Sequence, residues 1–323
     1  MILAGDIGGT KTNLGLFDAR EGSLRLITGR SFPSKEHTGL DAIVKEFMSP
    51  LQEQVTAACF GVAGPVLNGQ SVTPNLPWVV DADSLAQILN LESVILLNDL
   101  EAMAYGIREL KSEELLPLNQ GAAIEGNAAL VAAGTGLGVA SLFWDGERYV
   151  PSASEGGHVD FAARNPLEIE LLRHMQTKYS RVSVERVLSG PGLFNIYDFL
   201  RASGYGKEDP EIAEAFHTQD PSGVISKAAL AGRCKMCVKA LDMFVAIYGA
   251  TSGNIALTLK AIGGVYIGGG IAPKIIEKLK DGTFTGAFMD KGRLSPLLAT
   301  IPVNVILNDK TPLLGAASVA AQG

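Results

Sequence analysis

Cysteine is scarce. Three residues in 323, Cys59, Cys234 and Cys237, are too few and too odd in number for a disulfide framework. Cys234 and Cys237 fall in a helical pattern from Ser226 to Leu259 that puts both on one face, but no second Cys-x-x-Cys and no nearby histidine pair completes a zinc site. No basic run occurs anywhere, and 27 basic against 34 acidic side chains leave a net charge of −7, which argues against a nucleic-acid partner. No stretch approaches the ~18 apolar residues of a membrane span, and no cationic region precedes an apolar core at the N-terminus. No membrane partner and a cytoplasmic location are therefore expected. Two nucleotide signatures are missing as well: no glycine turn ends in the Lys-Ser/Thr of a P-loop, and none opens a helix as GxGxxG does in a dinucleotide unit.

What is there is apolar and glycine-punctuated. A hydrophobic content of 47% over this length supports two cores rather than one. The stretch from Ile2 to Asp18 reads as a strand, the turn Asp6-Ile7-Gly8-Gly9-Thr10, and a second strand. Gly8 and Gly9 can take positive φ and leave no Cβ in the way, so backbone N–H groups can form an anion-binding nest, and Asp6 is placed to hold magnesium or its water shell. A plain hairpin needing glycine in its turn explains the same letters. Residues 129–144 repeat the pattern, with Gly134-Thr135-Gly136-Leu137-Gly138 as the turn, which suggests two related domains with one glycine hairpin each. Facing nests of this kind suit a polyphosphate, and favour a phosphotransferase over a Walker NTPase or a dehydrogenase.

Between and after the hairpins, strands alternate with helices in the manner of an α/β protein. Gly22 to Ile27 reads as a third strand, Thr38 to Glu53 as a helix, and Val55 to Val66 as an apolar strand ending in Gly61, Gly64 and Pro65. Another strand, Ser93 to Leu97, delivers Asn98-Asp99 to the start of a helix running to Leu110. Ligands bind at that edge of open α/β sheets, although Asp is also a favoured helix cap. Near its ordinary pKa of about 3.9, or lower beside a helix N-terminus, such an Asp is a weak base. The stretch Glu155-Gly156-Gly157-His158 suggests a loop that presents Glu155 and His158 together, whereas Glu185 taken alone reads as a solvated helix residue. Residues 202–222 read as a surface excursion. The triple glycine Gly268-Gly269-Gly270 closes a buried strand, and its flat backbone suits either an adenine or ribose or a packing turn.

Taken in order, GDIGGT (Gly5 to Thr10), NLPW (Asn75 to Trp78), LND (Leu97 to Asp99), AGTGLGVA (Ala133 to Ala140), EGGHVDF (Glu155 to Phe161), SVERVLSGPGL (Ser183 to Leu193) and GGVYIGGGI (Gly263 to Ile271) resemble the bacterial ATP-dependent glucokinases of the hexokinase, actin and sugar-kinase superfamily. The resemblance implies two ribonuclease-H-like (actin-like ATPase) α/β domains with a cleft between them, split as 1–110 plus 300–323 and 111–299. It implies transfer of the γ-phosphoryl of ATP to the 6-hydroxyl of D-glucose. Asp99 would be the catalytic carboxylate, with Asn98, Asp99, Glu155, His158 and Glu185 on the sugar. ATP would be held by Gly5, Asp6, Ile7, Gly8, Gly9 and Thr10, by Gly134, Thr135 and Gly136, and on the adenosine side by Gly268, Gly269 and Gly270, with Asp6 near Mg2+. A homodimer is one option for its assembly. Kinases for another hexose or an N-acetylhexosamine share these motifs, and a non-catalytic sugar sensor or an actin-like assembly protein shares the fold. The CxCGxxGC cluster of zinc-binding relatives is missing, which makes His158 a hydroxyl partner rather than a metal ligand. Lys11 and Thr12 stand where the closest group often carries Asn-rich residues.

Overall fold

A computed structural model describes residues 1–20, 23–73, 76–122 and 124–322. Asn75 of the NLPW stretch and Gly22, expected to begin a strand, lie outside the described residues. The chain divides into two units, Met1–Glu114 with Tyr149–Ala153 and Asn308–Gly323, and Leu115–Arg148 with Ser154–Leu307.

In the first unit, strands β1 (Ile2–Ile7), β2 (Lys11–Arg20), β3 (Ser23–Pro33) and β4 (Ala57–Val62) come first. A small sheet of β5 (Val66–Leu67), β6 (Gln70–Val72) and β7 (Val79–Asp81) precedes β8 (Ile95–Asn98). The main sheet has the order β3-β2-β1-β4-β8, antiparallel at the β1–β2 hairpin and parallel from β1 through β4 to β8. Side chains alternate across a strand, and β1 obeys the rule. Leu3 and Ile7 enter one core with the helix Leu40–Met48, while Ile2 and Ala4 enter another with Ala102 and Leu313. Asp6 has the parity of Ile2 and Ala4, so it belongs to the face covered by the helices Asp99–Gly106 and Thr311–Ala320.

The second unit repeats the plan. Its sheet runs in the order β12-β11-β10-β13-β14-β9, with β9 (Leu115–Asn119), β10 (Ala128–Ala133), β11 (Leu137–Trp144), β13 (Gly264–Gly268) and β14 (Val303–Ile306) from this unit, while all but the last residue of the edge strand β12 (Tyr149–Ser154), expected with the larger domain, are counted with the first. Here β10 and β11 form the glycine hairpin, and β10, β13 and β14 run parallel. This is the ribonuclease-H-like order, present twice. Residues 300–307, expected with the first domain, belong to the second unit because Val265, Tyr266 and Ile267 of β13 pair with β14.

Four local expectations change. The helical pattern from Ser226 to Leu259 is two helices, Pro221–Leu230 and Lys235–Leu259, broken where Gly232 takes φ 66°. Cys234 is the cap of the second rather than part of it, its Sγ accepting from Cys237 N–H at 3.3 Å, and the two buried thiols lie side by side in one core. Helix Lys235–Leu259 is long and apolar enough by composition to cross a membrane, against the expectation that no such stretch exists. Of its most apolar window 72% is buried inside the fold, which identifies the central core helix of the second unit. The surface excursion of 202–222 holds a short helix of its own, Pro210–Ala215, capped by Asp209.

In the first unit, helices Asp99–Gly106 and Thr311–Ala320 touch backbone to backbone. A Cβ on Gly106 would lie 2.0 Å from Thr311 O, and one on Gly315 would lie 1.8 Å from Ala102 O. Neither neighbour is a flexible side-chain tip. Gly315→Ala must therefore force the pair apart, and should cost about 2–3 kcal/mol in urea unfolding; a loss below about 0.5 kcal/mol would show that the helices can slide at no cost.

Candidate active site

The first unit gathers carboxylates at the C-terminal ends of its parallel strands. Asp6 stands at the end of β1, and Asn13, its register partner on β2, donates from Nδ2 to Asp6 Oδ2 at 3.1 Å. Burial raises the Asp6 pKa, the Asn13 hydrogen bond lowers it, and the charge of Asp309 raises it; the net shift is upward. Asn98 and Asp99 divide the labour at the β8–helix junction. Asn98 is the cap: its Oδ1 accepts from Leu100 N–H at 3.0 Å, and its Nδ2 donates to Gly64 O at 3.1 Å. Asp99 begins the helix and also accepts from Leu100 N–H, at 2.9 Å.

The expectation of a lowered Asp99 pKa is corrected. Burial comes first among the causes, and with the charge of Asp6 it outweighs the backbone N–H of Leu100, pushing the carboxyl up to about 6 from 3.8. A helix N-terminus favours the charged form by only ~0.3–1 kcal/mol, less than desolvation costs here.

The glycines of the first turn work differently from expectation. Neither Gly8 nor Gly9 stands at positive φ. Gly8 N–H donates to Lys11 O at 2.9 Å, and a Cβ on Gly8 would come 3.1 Å from that same oxygen, so its need for glycine is steric. Ser34 braces the turn, donating from Oγ to Gly8 O at 2.7 Å and from its N–H to Thr10 O at 3.0 Å. Ile7 is fully buried, and a Cβ on Gly5 would meet the Phe60 ring at 2.4 Å, so both contribute core packing while Thr10 and Lys11 are exposed.

In the second unit the other candidates converge on the β10–β11 turn. Gly134 N–H donates to Gly136 O at 2.8 Å, and Thr135 is exposed at the tip. Glu185, on a 3-10 turn rather than a regular helix, accepts from Leu137 N–H at 2.9 Å through Oε2. A Cβ on Gly136 would lie 2.6 Å from that oxygen, and one on Gly157 only 2.0 Å from Leu137 O. The exposed Glu155 and His158 flank a 3-10 turn with Oε2 and Nε2 3.8 Å apart, so the loop does present them together. The triple glycine packs on the same turn. Gly269 takes φ 81°, its missing Cβ would fall 2.3 Å from Ala133 O, and Gly270 N lies 4.0 Å from the Cβ position of Gly134.

Three contributors escaped sequence reasoning. Asn13 is visible only through register. Tyr248, fully buried, links strand ends by donating to Val131 O at 3.1 Å and accepting from Ala133 N–H at 3.3 Å. Asp309 had a signal: Leu307-Asn308-Asp309, just past β14, repeats Leu97-Asn98-Asp99 at the end of β8.

The glucokinase family profile matches residues 3–323. A glucokinase of Nostoc sp. is 43% identical over 339 aligned residues covering 100% of this chain and 99% of its own length. The chain belongs to the glucokinase family. A glucokinase of Tolumonas auensis is 36% identical, with 99% of this chain and 97% of the relative covered. Among solved structures, a glucokinase from an Antarctic psychrotroph superposes with a TM-score of 0.87 at 31% identity, covering 100% of this chain and 99% of that one. A ROK family glucokinase from Streptomyces griseus, crystallised with glucose and AMPPNP, shares the fold at a TM-score of 0.65 and 23% identity, covering 100% and 99%. Membership of the family makes the chain an ATP-dependent hexose kinase of the actin-like ATPase fold.

The raised Asp99 pKa carries a stability cost with a definite sign. The folded state holds this proton more tightly than the unfolded chain, so the penalty is absent below pH 3.8, grows between there and about 6, and is full above that. Asp99→Asn keeps an acceptor for Leu100 N–H and removes the charge. It should raise stability by about 1–3 kcal/mol at pH 7.5, with the gain shrinking toward pH 4. Thermal melts at both pH values check this; a variant less stable than wild type at pH 7.5 contradicts it.

Proposed function

We propose that this chain transfers the γ-phosphoryl group of ATP to the 6-hydroxyl of D-glucose, giving glucose 6-phosphate and ADP, with Asp99 accepting the hydroxyl proton. The observation that carries the assignment is the division of roles at the β8–helix junction. Asn98 already takes the Leu100 N–H as the helix cap, so the contact of Asp99 with that same amide is redundant for capping, and a carboxylate with a pKa of about 6 is ionised at neutral pH and is a stronger base than an ordinary Asp. Phosphoryl transfer proceeds through a loose transition state, in which the attacking oxygen becomes acidic only as it bonds to phosphorus. Asp99 therefore orients the hydroxyl first and takes its proton late.

The sugar is held by Asn98 and Asp99 of the first unit and by Glu155, His158 and Glu185 of the second. Carboxylates, an amide and an imidazole suit a polyol, since each pairs with hydroxyls whose absence would leave a buried group unmatched. Backbone N–H groups of Gly5 to Thr10 and of Gly134 to Gly136 serve the phosphates, and Gly268 to Gly270 the adenosine side.

Magnesium fits the Asp6 position. Burial and the charge of Asp309 both raise the Asp6 pKa, so the position favours an added positive charge. Among the described residues no three metal-ligating side chains gather, and Mg2+ needs only one or two carboxylates beside phosphate oxygens and water. When bound it neutralises charge on the transferring phosphates. A cytoplasmic location accords with this function.

A sugar panel tests the substrate. D-glucose should show the highest kcat/KM, and a higher value for another hexose or an N-acetylhexosamine would replace glucose as the substrate. Asp99→Asn should lower kcat by about 10²–10⁴ while calorimetry still detects glucose binding. Turnover within about tenfold of wild type would remove Asp99 from the chemistry. In the wild type kcat/KM should fall as pH drops through about 6, because the base is then protonated.

A further inference from the structure

We propose that Glu185 also serves the nucleotide: one of its carboxylate oxygens holds the second glycine turn in its phosphate-binding shape. This rests on the reading of that turn as an ATP element, and gives Glu185 a positioning role in addition to its sugar contact.

The two glycine turns face the same mechanical problem. Each must expose backbone N–H groups on a short loop without side chains to pin it. In the first turn the brace is Ser34, whose hydroxyl and N–H take the carbonyls of Gly8 and Thr10. The second turn carries one backbone bond within itself, from Gly134 to Gly136, and the Gly134 carbonyl is taken by Gly190 N–H at 2.8 Å. Its far side is pinned by Glu185, which receives the Leu137 N–H at 2.9 Å. A Cβ at 136 would fall 2.6 Å from Glu185 Oε2, so a side chain there would have to push the carboxylate tip off the Leu137 amide.

Glu185 is itself held firmly enough to act as a brace. Val184 N–H donates to Val159 O at 2.9 Å, Ser189 Oγ donates to Glu185 O at 2.8 Å, and Asn195 Nδ2 donates to Arg186 O at 2.9 Å. With the backbone fixed on both sides, the carboxylate meets Leu137 without further ordering. An acidic residue used for sugar alone would have no reason to spend an oxygen on this amide.

The test uses nucleotide without sugar. Binding of magnesium-ADP is measured by calorimetry for the full-length wild type, Glu185→Ala and Glu185→Gln, with amide exchange followed across the strand-turn-strand segment containing Leu137. Loss of a charge-assisted bond should weaken binding about tenfold in Glu185→Ala and speed exchange at Leu137. Glu185→Gln, whose amide oxygen can still accept from Leu137, should stay within about twofold on both. Should the alanine variant not fold, Glu185→Asp, one methylene too short to reach, replaces it. Wild-type affinity in the alanine or aspartate variant overturns the proposal, as does a glutamine variant that loses as much. Faster exchange with unchanged affinity overturns it too, because the turn is then not a nucleotide element. With no sugar present, none of these failures touches the assignment of Asp99 or of the kinase reaction.

Discussion

Backbone meets backbone wherever this chain dispenses with a Cβ, and both its packing and its site depend on those meetings. Gly315 lets the last helix lie against the carbonyl of Ala102, in the helix that Asp99 begins, while Gly157 and Gly269 let the Glu155–His158 turn and the triple-glycine segment rest on the carbonyls of Leu137 and Ala133. The approaches are 1.8, 2.0 and 2.3 Å from a hypothetical Cβ to a backbone oxygen, distances no side chain can occupy. Such contacts place loops without relying on long side chains, whose ordering would cost entropy. They also leave little freedom: where two backbones touch, one cannot shift without the other.

The second constraint is electrostatic and opposes stability. Period-two alternation along β1 puts Asp6 on the face covered by the Asp99 helix, and the return of the chain after β14 adds Asp309. Burial raises both Asp6 and Asp99, and their carboxylate neighbours raise them further. A fold selected for stability alone would separate or neutralise these groups. Retaining them accords with the roles proposed for Asp6 and Asp99, a trade in which local stability is given up for reactivity.

Duplication of the sheet order did not duplicate the details. Both units carry a glycine turn between the first two strands of the same plan, yet one is braced by the buried hydroxyl of Ser34 and the other by the carboxylate of Glu185. Both also follow an outer parallel strand with Asn-Asp. Asn98 and Asn308 each accept from the N–H two residues on, at 3.0 and 2.8 Å, but Asn98 donates to the Gly64 carbonyl whereas Asn308 donates to the Glu114 carboxylate at 2.6 Å. Equivalent topological positions have been filled by different chemistry.

The sequence by itself determined the strand alternation, the two glycine turns, the strand-to-helix junction at Asn98-Asp99, the paired Glu155 and His158, and membership of the glucokinase family. All of these depend on neighbours in sequence or on the order of short motifs, which pattern and period capture. Only tertiary structure decided which of Asn98 and Asp99 caps the helix, that the Asp99 pKa moves up to about 6 rather than down, that Gly8 is required for space rather than for positive φ, and that Glu185 reaches the Leu137 amide. It also divided the helical pattern at Gly232, and brought Asp309 and Tyr248 to residues hundreds of positions or a whole sheet away. Desolvation, charge repulsion and steric exclusion act through distance in space, and the chain fixes those distances only once both sheets are assembled.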